Sequence, residues 1–315
     1  IFFQLLWEYF VLKTEIEKAG CRLVFNVDSG TVLRFRPSVT LSQDMLPHEP
    51  TEAARYGWSL ARLRLLLLKV VQRKSLMSSK GQIFLTHYAS RAMQERCGVL
   101  PRSRVINHGV DDIFAPECVT GLETVGNFSG RRPINCVYVS EASPYKHNWN
   151  VCEAIALIRD QGYDLRLSLI GGETGYSKSR VKKTLSTIKN SDKFIQTTPF
   201  LRHQEIPSIL SRTDIFVFAS SCESMPVTLL EAMKMGLAIV SSNCGPMPEI
   251  LEDGGFYFDP EDSSSITEAI LDFLNAPKLA AQMRIRARAK ADRLSWSRCA
   301  IETFQYLREV YESPN

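Results

Sequence analysis

Short apolar runs alternate with helix-patterned stretches along this chain, and that alternation constrains its fold more than any other feature. In the second half, INCVYVS (134–140), LRLSLIGG (165–172), KFIQTT (193–198), DIFVFAS (214–220), LAIVSS (237–242) and GGFYFD (254–259) read as strands. Helical patterns at 148–161, 177–190 and 203–213 separate the first four, and helices at 263–275, 277–293 and 296–312 close the chain. The first half repeats the theme with strands at 21–27, 38–43, 82–87 and 104–110 and helices at 1–18, 52–77 and from Ser90. Such a pattern predicts an α/β chain with parallel sheets. The 315 residues suffice for two cores. The domains expected are 1–110 and 134–295, joined by an irregular connector, 111–133, that holds Pro116, Gly121, Gly126, Gly130 and Pro133.

A content of 44% hydrophobic and 23% charged residues is that of a globular protein. No run approaches the ~18 uninterrupted apolar residues of a membrane span. The opening IFFQLLWEYFVLKTEIEK has no basic n-region or small-residue cleavage site, so it reads as an amphipathic helix rather than a signal peptide. The chain has no starting Met and enters in mid-element, so an N-terminal truncation is expected. The eight cysteines stand singly without a CxxC pair, which predicts free thiols in a reducing cytoplasm and no zinc site. The net charge is +4, unevenly placed: eleven Lys or Arg lie between Arg55 and Arg104 against one acid, Glu95. This patch suits an anionic membrane surface or an anionic acceptor, and equally a solvated helix face. No recognition motif accompanies it, so nucleic acid is not an expected partner.

Chemistry concentrates in FASSCESMPVTLLEAMKMGLAIVSSNCGPMPE (218–249). Pro226 suits a first helical turn, LLEAMKM is good helix-forming material, and Gly236 is placed to end the helix. The unpaired N–H groups of a helix start attract anions. Glu223 and Glu231 bracket that start. Were 223–231 all helical, their carboxylates would lie about 12 Å apart along the axis. That is roughly the reach from ribose to sugar in a nucleotide diphosphate-sugar, and carboxylates accept hydrogen bonds from hydroxyls. Taken alone, the pair also fits two solvated glutamates.

The segment resembles the E-x7-E region of glycosyltransferase family 4, and the resemblance covers nearly the whole chain. It implies the GT-B fold of two facing Rossmann-like domains, with 296–315 a C-terminal helix crossing back to the first domain. A family strand and Gly-rich loop that normally open the N-terminal domain do not precede Ile1. The implied activity is retaining, metal-independent transfer from a nucleotide diphosphate-sugar to a saccharide or glycolipid hydroxyl, with no cofactor. Polysaccharide biosynthesis in the cytoplasm, peripheral to the inner face of the cell membrane, goes with it. By the resemblance Glu231 holds the donor ribose, Glu223 the transferred sugar, and the backbone near Met225 and Val227 faces the diphosphate. Lys146 matches the diphosphate-binding Lys, whose ammonium neutralises charge on the leaving group. Five residues earlier, where relatives often carry Arg, stands Glu141. Ser140 offers a hydroxyl there. Gly171 and Gly172 let backbone approach the nucleotide, or form an ordinary strand-to-helix turn. Gln43 and Asp44 occupy the position of a His-Asp pair near the donor sugar, and Asn107 to Asp111 match the hinge pattern N-x-G-V-D. His48 reads as an incidental loop histidine, and His108 as structural rather than catalytic. The alternative is a nucleotide-sugar-binding protein or fragment without transfer activity, favoured by Glu141 and Gln43. A nicotinamide-dependent oxidoreductase lacks its G-x-G-x-x-G, since Gly171 to Gly175 do not match it.

Overall fold

The computed structural model describes residues 2–115 and 132–314. Pro116, Gly121, Gly126 and Gly130 of the expected connector lie outside them. Two compact units emerge: Ile1–Gly109 with Glu223–Met225 and Ser295–Asn315, and Val110–Cys222 with Pro226–Leu294. Each is built on one parallel sheet, as the alternation of patterns predicts.

The first unit contains strands β1 (Val24–Asn26), β2 (Ser38–Ser42), β3 (Gly81–Phe84) and β4 (Ser103–Val105), side by side in chain order. The helix expected over 52–77 is two helices, Pro50–Ala54 and Leu60–Ser78. Gly57 turns the chain at φ +59°, and Ser59 Oγ accepts the Arg62 N–H at 3.2 Å to cap the second helix. Likewise the strand expected to Thr86 and His87 stops at Phe84, because Thr86 Oγ1 accepts the Ala89 N–H at 3.2 Å and caps the helix His87–Cys97. The first residues are helical from Phe2 to Lys18, with a wider π turn at Glu8–Leu12.

The last helix, Trp296–Glu312, packs in this unit: Tyr306 and Val310 form one apolar cluster with Val39, Ile83 and Ile106. The Tyr306 hydroxyl accepts the Gln82 N–H at 3.2 Å and donates to the Arg102 carbonyl. Arg104 forks onto Glu309 at 2.9 and 2.7 Å. The basic run is therefore less bare than the sequence alone indicates. Arg55 pairs with Glu52 at 2.8 Å, Arg96 with Glu49 at 3.6 Å, and Arg104 with Glu309, all acids outside 55–104. Five basic residues, Arg62, Arg64, Lys69, Arg73 and Lys74, gather on the helix Leu60–Ser78.

The second unit contains β5 (Ile134–Val139), β6 (Leu165–Ile170), β7 (Ile195–Thr198), β8 (Ile215–Phe218), β9 (Ala238–Ser242) and β10 (Phe256–Phe258). Their spatial order is β10-β9-β8-β5-β6-β7, all parallel. Every residue of β8 and β9 is buried, which accounts for the unbroken apolar sequence of β8 and the apolar start, Ala238 to Val240, of β9. The helices Asn148–Asp160 and Ser263–Asn275 supply much of the remaining core, with Ile155, Ile158, Ile266 and Ile270 fully buried. Pro248 and Glu249 fall inside a short helix, Met247–Leu251, that follows Pro246. The seven described cysteines are free thiols, and burial pushes the Cys152 thiol up to about 12.

Candidate functional site

Connections from β5 run outward to β6 and β7, while those from β8 run the other way to β9 and β10. The sheet therefore reverses its winding between β5 and β8, and ligands of open α/β sheets bind beyond the carboxyl ends of strands at such a point. A cleft of about 390 Å³ opens there. Ser140, Glu141, Tyr145 and Lys146 reach it from the loop after β5. Phe200, Leu201 and His203 reach it from the loop after β7, and Thr228 and Glu231 from the helix after β8.

That last helix is Val227–Lys234. Pro226 stands at its N-cap with ψ 105°, one residue before the first turn expected of it. The stretch 223–231 is thus not all helical, and the 12 Å spacing does not apply. The helix ends as the sequence predicts. Gly236 takes φ +66°, its N–H bonds the Met233 carbonyl at 3.0 Å, and the Leu237 N–H reaches back to Ala232 at 3.1 Å. Glu231 lies in the second turn, its side chain 4% exposed, with Oε1 taking a 2.7 Å hydrogen bond from His203 Nε2. Burial holds its carboxyl above the usual range. The His203 hydrogen bond and charge oppose that shift, and the charge of Asp111 adds to it.

Lys146 ends the 3-10 turn Pro144–Lys146, followed by His147 in the left-handed region at φ 48°. Three bonds fix this loop. The Tyr138 hydroxyl donates to the Lys146 carbonyl at 2.9 Å, the Ser221 N–H to the Tyr145 carbonyl at 2.8 Å, and His147 Nε2 meets Ser221 Oγ at 2.9 Å. The Lys146 ammonium lies 5.2 Å from the Tyr145 ring centroid and 5.8 Å from that of Phe218. Ser140 donates its hydroxyl to the Glu141 carbonyl at 2.8 Å, and Glu141 Oε1 accepts from Ser143 Oγ at 2.6 Å. The cleft thus holds an ammonium and two carboxylates.

Gly171 and Gly172 are not among the cleft-lining residues. Gly171 has φ +86°, and a Cβ there would meet the Ser140 carbonyl oxygen at 2.9 Å, so close packing of two backbones requires this glycine. Gly172 lines a separate groove with Glu173, Lys178 and Lys182. Val227 opens the helix, where the first N–H groups lack intrahelical acceptors, but Thr228 is the residue that lines the cleft.

Glu223 and Met225 belong to the first unit. Met225 Sδ accepts the His108 N–H at 3.1 Å, and Thr86 Oγ1 donates to the Ser224 carbonyl at 3.1 Å. The Gln43 amide nitrogen donates to the Val27 carbonyl. Asp44 Oδ1 accepts the Leu46 N–H at 2.9 Å, and burial raises its carboxyl, with Asp28 and Glu223 adding to the effect. His48 is buried and donates through Nε2 to Gln72 Oε1 at 2.9 Å. His108 lies 5.2 Å from Trp296, ring to ring.

Tyr145, Phe200, Leu201, Thr228 and His203 carry no signal in motif terms. Position alone points to them: they follow the carboxyl ends of β5, β7 and β8, around the winding reversal.

The fold is an α/β fold of the GT-B type, shared with solved structures of known glycosyltransferases and related synthases. Sucrose-phosphate synthase from Thermosynechococcus elongatus superposes with a TM-score of 0.76 at 18% identity, covering 98% of this chain and 78% of that one. Anabaena Alr3699/HepE, solved in complex with UDP and glucose, gives a TM-score of 0.73 at 18% identity, over 94% of this chain and 80% of that one. The sequence profile described as Glycosyl transferases group 1 matches residues 128–290, more than half of the chain. The chain belongs to this glycosyltransferase family. The O-antigen chain mannosyltransferase B of Escherichia coli is 29% identical over 215 residues, 64% of this chain and 55% of that protein. The chain thus spans about half the length of this curated relative.

Proposed function

We propose that the chain transfers a glycosyl group from a nucleotide diphosphate-sugar to a hydroxyl of a saccharide or glycolipid, as a family 4 enzyme that retains anomeric configuration and uses no metal ion. The observation that carries this is Lys146 and Glu231 lining one cleft at the winding reversal of the second unit. Glu231 takes the ribose hydroxyls. Lys146 and the start of the helix Val227–Lys234 take the diphosphate, and Glu223 is assigned the hydroxyls of the transferred sugar. The acceptor oxygen bonds to the anomeric carbon on the face from which the diphosphate leaves. The bond from that carbon to phosphate breaks, and a phosphate oxygen of the leaving group takes the acceptor proton. Such a step depends on positioning and on neutralising the leaving charge more than on a protein base. Among the described residues no group of three or more His, Cys, Asp or Glu side chains is gathered to hold a metal. The neutralising role is given to Lys146, which lines the cleft, and to the helix start.

The relative named for O-antigen chain mannosyl transfer supports an acceptor in envelope polysaccharide or glycolipid. The UDP in the Anabaena structure makes UDP the first nucleotide to try. We place the chain at the inner face of the cell membrane. Among the described residues no helix is long and apolar enough to cross one. What supports surface attachment is the helix Leu60–Ser78. Leu60, Leu63, Leu67, Val70 and Met77 follow at helical spacing and are each more than half exposed, beside five Lys or Arg.

The test is release of nucleoside diphosphate from UDP-glucose and from GDP-mannose in the presence of envelope glycolipid, with and without EDTA. Release that persists in EDTA and falls in Glu223→Ala is expected, with a product of unchanged anomeric configuration. Tight donor binding without release supports the second reading, a nucleotide-sugar-binding protein without transfer. One observation favours that reading: Glu141 stands in the cleft where a positive charge would serve the diphosphate better.

A further inference from the structure

We propose that His203 is a positioning residue, whose imidazole holds the Glu231 carboxylate in the orientation that receives the ribose hydroxyls of the donor. The proposal rests on the ribose role of Glu231 given above and deepens it.

A carboxylate accepts hydrogen bonds and donates none, so at the 2.7 Å contact His203 Nε2 carries the proton and Glu231 Oε1 accepts it. Among the described residues this is the one protein hydrogen bond to that carboxylate, and Oε2 takes none. Yet the Glu231 side chain is 4% exposed. A carboxylate so buried is costly unless its lone pairs are occupied. One oxygen is engaged by the protein, and the other belongs to a group that lines the cleft. That arrangement suits a ligand with hydroxyl donors.

His203 is itself constrained. Its ring lies 5.1 Å from that of Phe114, which is fully buried. Its turn, His203–Glu205, is closed by Glu205 Oε2, which accepts the Arg202 N–H at 2.9 Å. The imidazole is therefore packed on one ring and bonded at one nitrogen. Removing it frees the Glu231 carboxyl to rotate or to take up a proton, and either change weakens the contact with a vicinal diol. The His203 side chain is 53% exposed, so its own replacement leaves no core cavity.

The experiment is calorimetric titration of the full chain with UDP, GDP and inorganic pyrophosphate, the last lacking a ribose. His203→Phe is expected to weaken the tighter nucleotide roughly tenfold, the size of one lost charge-assisted hydrogen bond, and to leave pyrophosphate unchanged. His203→Gln, which keeps an N–H at similar reach, is expected to stay within about threefold of wild type. In a Glu231→Ala background, His203→Phe should add nothing further. Melting curves on each variant confirm that folded proteins are compared. If His203→Phe binds nucleotide like wild type while Glu231→Ala does not, the positioning role is wrong and the ribose role of Glu231 stands. Equal weakening for pyrophosphate overturns it too, because the effect is then not at the ribose. Nucleotide binding that survives Glu231→Ala, or that is missing in wild type, removes the underlying reading and this inference with it.

Discussion

At the scale of single residues, Glu231 is a carboxyl held in a buried place, with one hydrogen bond from His203. Burial raises the Glu231 carboxyl, and the His203 contact only partly offsets it. A raised value means that protonation, and loss of its charged acceptor, sets in at higher pH than for an exposed glutamate. Donor affinity is therefore expected to fall as pH is lowered from 7.5 through 5, measured with UDP-glucose, whose diphosphate does not titrate there. Glu231→Gln should bind more weakly and show a flatter profile. Parallel profiles for the two proteins would count against the role of Glu231. Glu231 was legible in sequence because helix, Pro226 and Gly236 fix its position within one short segment. His203 was not, because its partner lies 28 residues away and the contact depends on the loop after β7 reaching the helix after β8. Ser140 was legible as a cleft residue but not in its use, since its hydroxyl is spent on the Glu141 carbonyl.

At the scale of elements, the ten strands of the described residues stand where apolar runs predict them, but their ends are set by caps that hydrophobic pattern does not encode. Ser59 and Thr86 divide what pattern alone would continue. Gly171 shows the same limit, for glycine after a strand reads equally as a ligand approach or a packing need. The geometry favours packing, with φ +86° and a carbonyl 2.9 Å from any added Cβ. Gly171→Ala is accordingly expected to destabilise the second unit by about 1–3 kcal/mol. An unchanged melting temperature would contradict that. The helix Leu60–Ser78 carries the membrane proposal. Leu63→Glu with Leu67→Glu should abolish sedimentation with vesicles containing phosphatidylglycerol and leave nucleotide affinity intact. Vesicle binding that survives the pair would mean another surface, or none, is involved.

For the molecule as a whole, one buried group ties stability to pH. Burial lowers His48 to about 4 from the 6.5 of a free imidazole, with Arg96 and Lys69 adding to the effect and the Gln72 bond opposing it. The unfolded chain therefore takes up this proton more readily than the folded one. The stability from keeping His48 neutral is present above pH 6.5 and is lost as pH falls toward 4, by an amount on the order of 3 kcal/mol. His48→Gln should melt with a shallower pH dependence over that range, and an identical slope would contradict the assignment. The parallel α/β architecture was legible because buried strands and amphipathic helices have distinct periods, whereas the chemistry of the cleft arises only once the sheet order is known. The cleft beside Lys146 and Glu231 is proposed to bind the nucleoside diphosphate of a sugar donor. Calorimetric titration of the chain with UDP and with GDP tests it most directly. Saturable binding of one nucleotide, weakened about tenfold or more in both Lys146→Ala and Glu231→Ala, is the predicted result. Binding of neither nucleotide by a protein with a cooperative melting curve, or affinity untouched by both substitutions, would contradict it.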